Sequence, residues 1–168
     1  MAELKLIITG TPGTGKTLLA KYISKSLDVP LYDVTTLIKK ENSLDKTYNS
    51  ELDTLEVNEE DLKKFLNTFF KDKQTFILEG HMSHLLSKDS VDLCIVLRTE
   101  NSTLSKRLVS RRYSQQKIRD NLEAEIFNCC YEEAKLNNHK ILTIDTTNFD
   151  NREYTLLIEF LKKSGLIK

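Results

Sequence analysis

Residues 10–17 read Gly10-Thr11-Pro12-Gly13-Thr14-Gly15-Lys16-Thr17, and this octet decides the fold. It satisfies the phosphate-loop pattern G-x-x-x-x-G-K-[ST] at every fixed position. Glycines leave the backbone amides bare, so a turn rich in them can wrap an anion. In such a loop the lysine, here Lys16, reaches the β- and γ-phosphates, and the hydroxyl of Thr17 can bind Mg²⁺. Leu4, Leu6, Ile7 and Ile8 form an apolar strand leading in, while Leu18, Leu19, Tyr22, Ile23 and Leu27 recur at helical spacing leading out. Strand, glycine loop and helix N-terminus is the context the pattern requires.

Outward from the octet the chain alternates strand and helix. Strands are expected at 4–9, 29–33, 75–79, 92–97 and 140–145, and helices at 16–27, 59–70, 101–111, 114–136 and 151–163. Asn58 with Glu59, Glu60 and Asp61 opens one helix with a cap and first-turn acids. Ser114 caps another, whose apolar stripe is Ile118, Leu122, Ile126, Cys130 and Ala134. Strands separated by helices imply an α/β fold, a parallel sheet covered on both faces. Residues 34–58 are the least regular stretch. At 168 residues the chain fits one domain with one substantial core.

Composition excludes several classes. Hydrophobic residues are 39% and charged residues 30%, ordinary for a soluble globular protein. No run approaches the ~18 apolar residues of a membrane span. Strand 1 begins almost at the N-terminus, so no signal peptide is expected. Cys94, Cys129 and Cys130 lack metal-ligand spacing and read as reduced residues of a cytoplasmic protein. Formal net charge is zero, which offers no general affinity for nucleic acid. Its distribution is uneven. Glu41, Asp45, Glu51, Asp53, Glu56, Glu59, Glu60 and Asp61 face only Lys46 between 41 and 61. Arg98, Lys106, Arg107, Arg111, Arg112, Lys117 and Arg119 face only Glu100 between 98 and 119.

Ligands of such sheets bind beyond the carboxyl ends of the strands. That edge collects the phosphate loop, then Glu79, Gly80 and His81, then Asp145, Thr146 and Thr147. Asp92 opens its strand, falls at the opposite edge and reads as structural. A bound nucleoside triphosphate needs a carboxylate near Thr17 to hold Mg²⁺, and Glu79 is placed for it; a loop-end salt bridge is the plainer use. His81 either orients water or an accepting phosphate, or is a surface histidine. His81 and His84 have the spacing of a metal pair, without a third ligand in view. Arg107, Arg111, Arg112 and Arg119 lie between two helices, as a closing lid would place them around developing phosphoryl charge. A basic helix–helix connection is the alternative.

The chain resembles the small adenylate kinases of the coilin-interacting nuclear ATPase type, the adenylate kinase isoenzyme 6 family, in their archaeal form. The resemblance runs nearly end to end. It rests on residues 8–17, Glu51-Leu52-Asp53, Glu79-Gly80-His81, Val96-Leu97-Arg98-Thr99, Arg107-Leu108 with Arg111 and Tyr113, residues 121–126, and Tyr131-Glu132-Glu133-Ala134. It implies a five-stranded parallel core, a nucleoside-monophosphate-binding segment at about 33–57 and a lid at about 110–120. By it, Gly13, Thr14, Gly15, Lys16, Thr17 and Leu18 bind ATP, and Arg111 reaches ATP from the lid. With the roles read above, Lys16, Glu79, His81, Arg107 and Arg111 form the catalytic set, and Thr17 and Glu79 hold Mg²⁺. Asp33, Lys39 and Arg98 are the candidates for AMP. The resemblance further implies ATPase activity and a role in small ribosomal subunit maturation through a small-subunit ribosomal protein. The family usually places Gly after the lid arginine; here Arg112 stands there, restricting the lid or adding a phosphate contact. The chain also lacks the Asp-Gly-Phe-Pro-Arg segment of ordinary adenylate kinases. An assembly factor driven by ATP, and a small-metabolite kinase on the same fold, are the competing functions.

Overall fold

A computed structural model describes residues 3–167. Its main sheet is five-stranded and wholly parallel, in the order β2-β5-β1-β6-β7. The strands are β1 (Lys5–Gly10), β2 (Leu31–Asp33), β5 (Phe76–Glu79), β6 (Leu93–Arg98) and β7 (Ile141–Asp145). All five lie where the apolar runs of the sequence put them.

Alternation along β1 assigns its side chains to two layers. Leu4, Leu6 and Ile8 join Leu19 and Ile23 of α1 (Lys16–Leu27) and Leu157 and Leu161 of α7 (Asn151–Lys163). Ile7, on the other face, joins Leu78, Cys94 and Val96, with Leu62 and Leu66 of α3 (Glu59–Phe70) and Ala134 of α6 (Cys129–Leu136). These residues are buried, so helices cover both faces of the sheet. Asn58 caps α3, accepting from the amide of Asp61, and Asp150 closes a full capping box with Glu153 on α7.

Two expectations are corrected. The stretch 34–58 is not irregular. It contains α2 (Val34–Lys40) and an antiparallel hairpin of β3 (Lys46–Asn49) and β4 (Thr54–Val57). Lys46 ties them together, donating from Nζ to the carbonyls of Ile38 at 3.1 Å and Glu41 at 2.5 Å. The expected helix over 114–136 is two: α5 (Gln115–Ile126) and α6, separated by Asn128 with φ of 56°. An asparagine tolerates that left-handed conformation, and it stops the ladder. The period-four stripe therefore ends early, and Ile126 and Phe127 are exposed.

All three cysteines are free. Burial pushes the Cys94 thiol up to about 12 and that of Cys130 to about 11. Asp92 accepts from the amide of Lys5 at 2.8 Å, a structural use at the amino edge of the sheet. Among the described residues no helix is long and apolar enough to cross a membrane.

Candidate active site

The phosphate loop leaves β1 at Gly10 and enters α1 at Lys16. Gly13 and Gly15 both have φ of 94°, a region that favours glycine. A Cβ on Gly13 would stand 2.9 Å from Leu104 of α4 (Asn101–Ser110), so packing also excludes one. Around the Cβ position of Gly15 there is open space, which leaves the loop's mouth clear. No side chain caps α1, and no acid occupies its first turn. Its free amides and positive dipole end thus face the space where an anion binds.

Lys16 folds back over the loop. Its Nζ donates to the carbonyls of Gly10 at 2.7 Å and Thr11 at 3.0 Å. Burial lowers its pKa to about 8, helped by Arg111 and opposed by Glu79 and Glu125. A bound polyphosphate would restore the lost stabilisation of the cation.

Thr17 donates from Oγ1 to Oε1 of Glu79 at 2.8 Å. The two residues named for Mg²⁺ therefore meet, from different elements. Glu79 is only 4% exposed, and burial raises its pKa, with Asp33 adding to the rise. A hydroxyl and a buried carboxylate without a direct cationic partner among the described residues are a hard-oxygen set that fits Mg²⁺. Such an ion, when bound, would screen phosphate charge. Asp33 pairs with Glu79 in sheet register, which carries the site across to β2.

Beyond β2 lies a cavity of about 600 Å³. Tyr32, Leu37, Phe65 and Phe69 give it an aromatic and aliphatic wall, with Asp33, Thr36 and Lys40 as polar edges. Asp33 also caps α2, accepting from Thr36 N and Oγ1, both at 2.6 Å. Lys39 is exposed, and it is Lys40 that lines the cavity. On the other flank a smaller cavity of about 110 Å³ touches Gly13, Gly15, Arg107, Phe149 and Tyr154.

The arginines divide. Arg111 is exposed at the end of α4, and its guanidinium makes no hydrogen bond or ion pair among the described residues. Arg107 is half-buried and committed: it donates to the carbonyls of Thr146 at 2.7 Å, Gly13 at 3.3 Å and Thr147 at 3.4 Å, and to Thr99 Oγ1 at 3.3 Å. It ties the phosphate loop at Gly13 to the turn at Thr146 and Thr147, and it lines the smaller cavity. Arg98 is not with Asp33 and Lys39. β1 and β5 stand between β6 and β2, and Arg98 donates from Nε to Glu125 at 2.7 Å. Spacing along the chain carries no information about which strand lies next to which, so the separation of Arg98 from Asp33 and Lys39 could not be read from it.

The stretch 110–120, where a lid is expected, holds the turn after α4 and the first turns of α5. Arg112 has φ of 58° and donates its amide to Val109 at 2.8 Å, so it occupies the left-handed turn position a glycine would. Lys117 reaches across the cleft to the carbonyl of Asp53 at 3.0 Å, at the tip of the β3–β4 turn. Its ammonium lies 4.3 Å from the Tyr113 ring centroid.

The roles of two groups escape sequence reasoning. His84, 2% exposed, spends both ring nitrogens: Nδ1 is 3.0 Å from Thr9 Oγ1 and Nε2 is 2.9 Å from Glu133. It belongs to the floor, whereas His81 is exposed at the carboxyl edge. Glu125, 3% exposed, gathers Thr11, Arg98 and Thr99. In the sequence it follows the acids Asp120 and Glu123 and lies within the 121–126 block that carries the resemblance, and nothing there separates it from an ordinary helix-surface charge.

Residues 6–128 match the family model for an AAA domain. The chain is 37% identical over 147 residues to a protein of Methanocaldococcus jannaschii that bears an adenylate kinase name, covering 88% of this chain and 79% of that protein. It is 36% identical over 162 residues to one of Pyrococcus abyssi with the same naming, covering 96% and 85%. An adenylate kinase isoenzyme 6 homolog of Schizosaccharomyces pombe is 38% identical over 130 residues, covering 77% and 73%. In fold, the chain is similar to a crystal structure of shikimate kinase from Bacteroides thetaiotaomicron, with a TM-score of 0.62, 18% identity, and coverage of 96% and 97%.

Proposed function

The chain belongs to the adenylate kinase isoenzyme 6 family of AAA-domain proteins, a family of nucleotide kinases, and from that premise we propose that it transfers the γ-phosphoryl group of ATP to AMP, giving two ADP. One observation carries the reading: the Thr17–Glu79 contact stands between the phosphate loop and the cavity beyond β2. A donor nucleotide on the loop and an acceptor beyond β2 would meet at Glu79.

The chain's own groups fit this division. The loop amides and Lys16 hold the polyphosphate and stabilise charge that grows on the transferring group. Thr17 and Glu79 are the residues that would hold Mg²⁺. Arg111, unengaged at the edge of the lid, can add positive charge on closure. The aromatic wall of Tyr32, Phe65 and Phe69 suits a planar base. His81, exposed beside Glu79, can orient an accepting phosphate or, without acceptor, a water, which would give ATPase activity.

An acceptor screen with ATP and Mg²⁺ tests this reading. ADP production that depends on AMP supports it; production that depends on a sugar acid or shikimate instead refutes it.

A second reading has its own observation. Of the eight acids between 41 and 61, all but Glu41 are exposed, on a segment that borders the cleft. This favours a basic protein partner, such as a small-subunit ribosomal protein, whose binding would follow the nucleotide cycle in a cytoplasmic assembly role. Binding that survives reversal of those charges would refute it.

A further inference from the structure

Glu125 is a carboxylate at the last turn of α5, almost sealed from solvent. All of its short contacts are donated to it. Thr11 Oγ1 reaches Oε2 at 2.6 Å; Arg98 Nε at 2.7 Å and the amide of Thr99 at 3.0 Å share Oε1. Arg98 also donates to the Glu125 carbonyl at 3.0 Å. A charge this buried persists only when paired and hydrogen-bonded, and here both conditions hold.

Thr11 is what turns this cluster toward the site. It is itself buried, inside the phosphate loop. Its side chain is held by Glu125 while its carbonyl accepts from Lys16 Nζ at 3.0 Å and from Thr14 Oγ1 at 2.8 Å. Pinning the Thr11 side chain helps fix the direction of that carbonyl, because Pro12 already restricts the backbone of the residue before it. The same helix that ends at Glu125 starts at the lid, where Lys117 touches Asp53. Its 12 residues form a stiff rod of about 18 Å.

We infer that Glu125 is a positioning residue for the phosphate loop: through Thr11 it orients the peptide that orients Lys16, and through α5 it ties the loop to the lid. An ion pair serving stability alone would need Arg98 but not Thr11. This inference rests on the reading that the loop binds a nucleotide phosphate.

The test is calorimetric titration of ADP into the folded wild-type chain and into the Thr11→Val, Thr11→Ser, Glu125→Gln and Thr11→Val/Glu125→Gln variants. Thr11→Val should weaken ADP binding about fivefold, the worth of one ordinary hydrogen bond, and Thr11→Ser should restore it. The double variant should bind no more weakly than Glu125→Gln alone, since both act through one contact. Wild-type affinity in Thr11→Val, or losses that multiply in the double variant, would overturn the positioning role. If Glu125→Gln fails to fold, the two Thr11 variants decide. A wild-type chain that binds no ADP would overturn the underlying reading as well, and so is distinguishable from the first result.

Discussion

Arg107 and Arg111 sit one helical turn apart in the same basic stretch, yet exchanging each for methionine should give opposite signatures. Arg107 donates one short bond, 2.7 Å to the Thr146 carbonyl, and three long ones of 3.3 to 3.4 Å. A charge-assisted bond contributes about 1.5–3 kcal/mol, and the long ones add little. Removing the guanidinium should therefore cost about 2–3 kcal/mol, which for a domain of this size lowers Tm by about 5–10 °C. Binding of ATP should weaken too, because Gly13 loses its brace. Arg111 has no partner to lose, so Arg111→Met should leave Tm within about 1 °C and lower kcat by at least ~10²-fold. Differential scanning calorimetry paired with steady-state kinetics on both variants reads the contrast. The reasoning is refuted if Arg107→Met keeps the wild-type Tm and loses only kcat, for then it acts on substrate, as the sequence pattern suggested.

Other outcomes follow from single contacts. Lys16→Ala should lower turnover by at least ~10²-fold, with the fold intact by circular dichroism. Arg112→Gly should raise Tm by about 1–4 °C: the left-handed turn costs a side chain about 1–2 kcal/mol, and glycine's larger unfolded-state entropy offsets about half of that gain. Lys117→Met should raise the KM for AMP about two- to threefold with little change in Tm, since it removes the exposed bridge to Asp53 and the contact with the Tyr113 ring; an unchanged KM would mean that bridge does not matter to acceptor binding. Glu133 is held below the usual carboxylate range by its hydrogen bond from His84. A folded pKa below the unfolded one gives stability that is present above about pH 4.5 and lost as pH falls through the folded value. Glu133→Gln should then flatten the acid limb of Tm against pH below about 5, and a limb identical to wild type would contradict the pairing.

The strands were legible as short, nearly continuous apolar runs, as in a parallel sheet buried on both faces, and the outer helices by apolar residues at period 3.6. The contents of 34–58 were not, for α2 spans only seven residues and the hairpin strands four each, with mostly polar side chains. The break at Asn128 was hidden by the apolar spacing on either side of it. In the site, Thr17 and Glu79 could be paired because both stand at the carboxyl edge of the sheet, where ligands of such folds bind. Arg98, Arg107, His84 and Glu125 could not be sorted, since each role depends on a partner 27 or more residues away that only the packed fold supplies, with Thr99 adding a nearer contact to Arg107.

Whether the γ-phosphoryl group reaches AMP is settled most directly by following radiolabelled AMP in the presence of ATP and Mg²⁺. Transfer predicts labelled ADP formed one for one with ATP consumed, and its loss in Glu79→Gln and Lys16→Ala. ATP consumption that releases only inorganic phosphate, leaving the labelled AMP unchanged, would contradict the account.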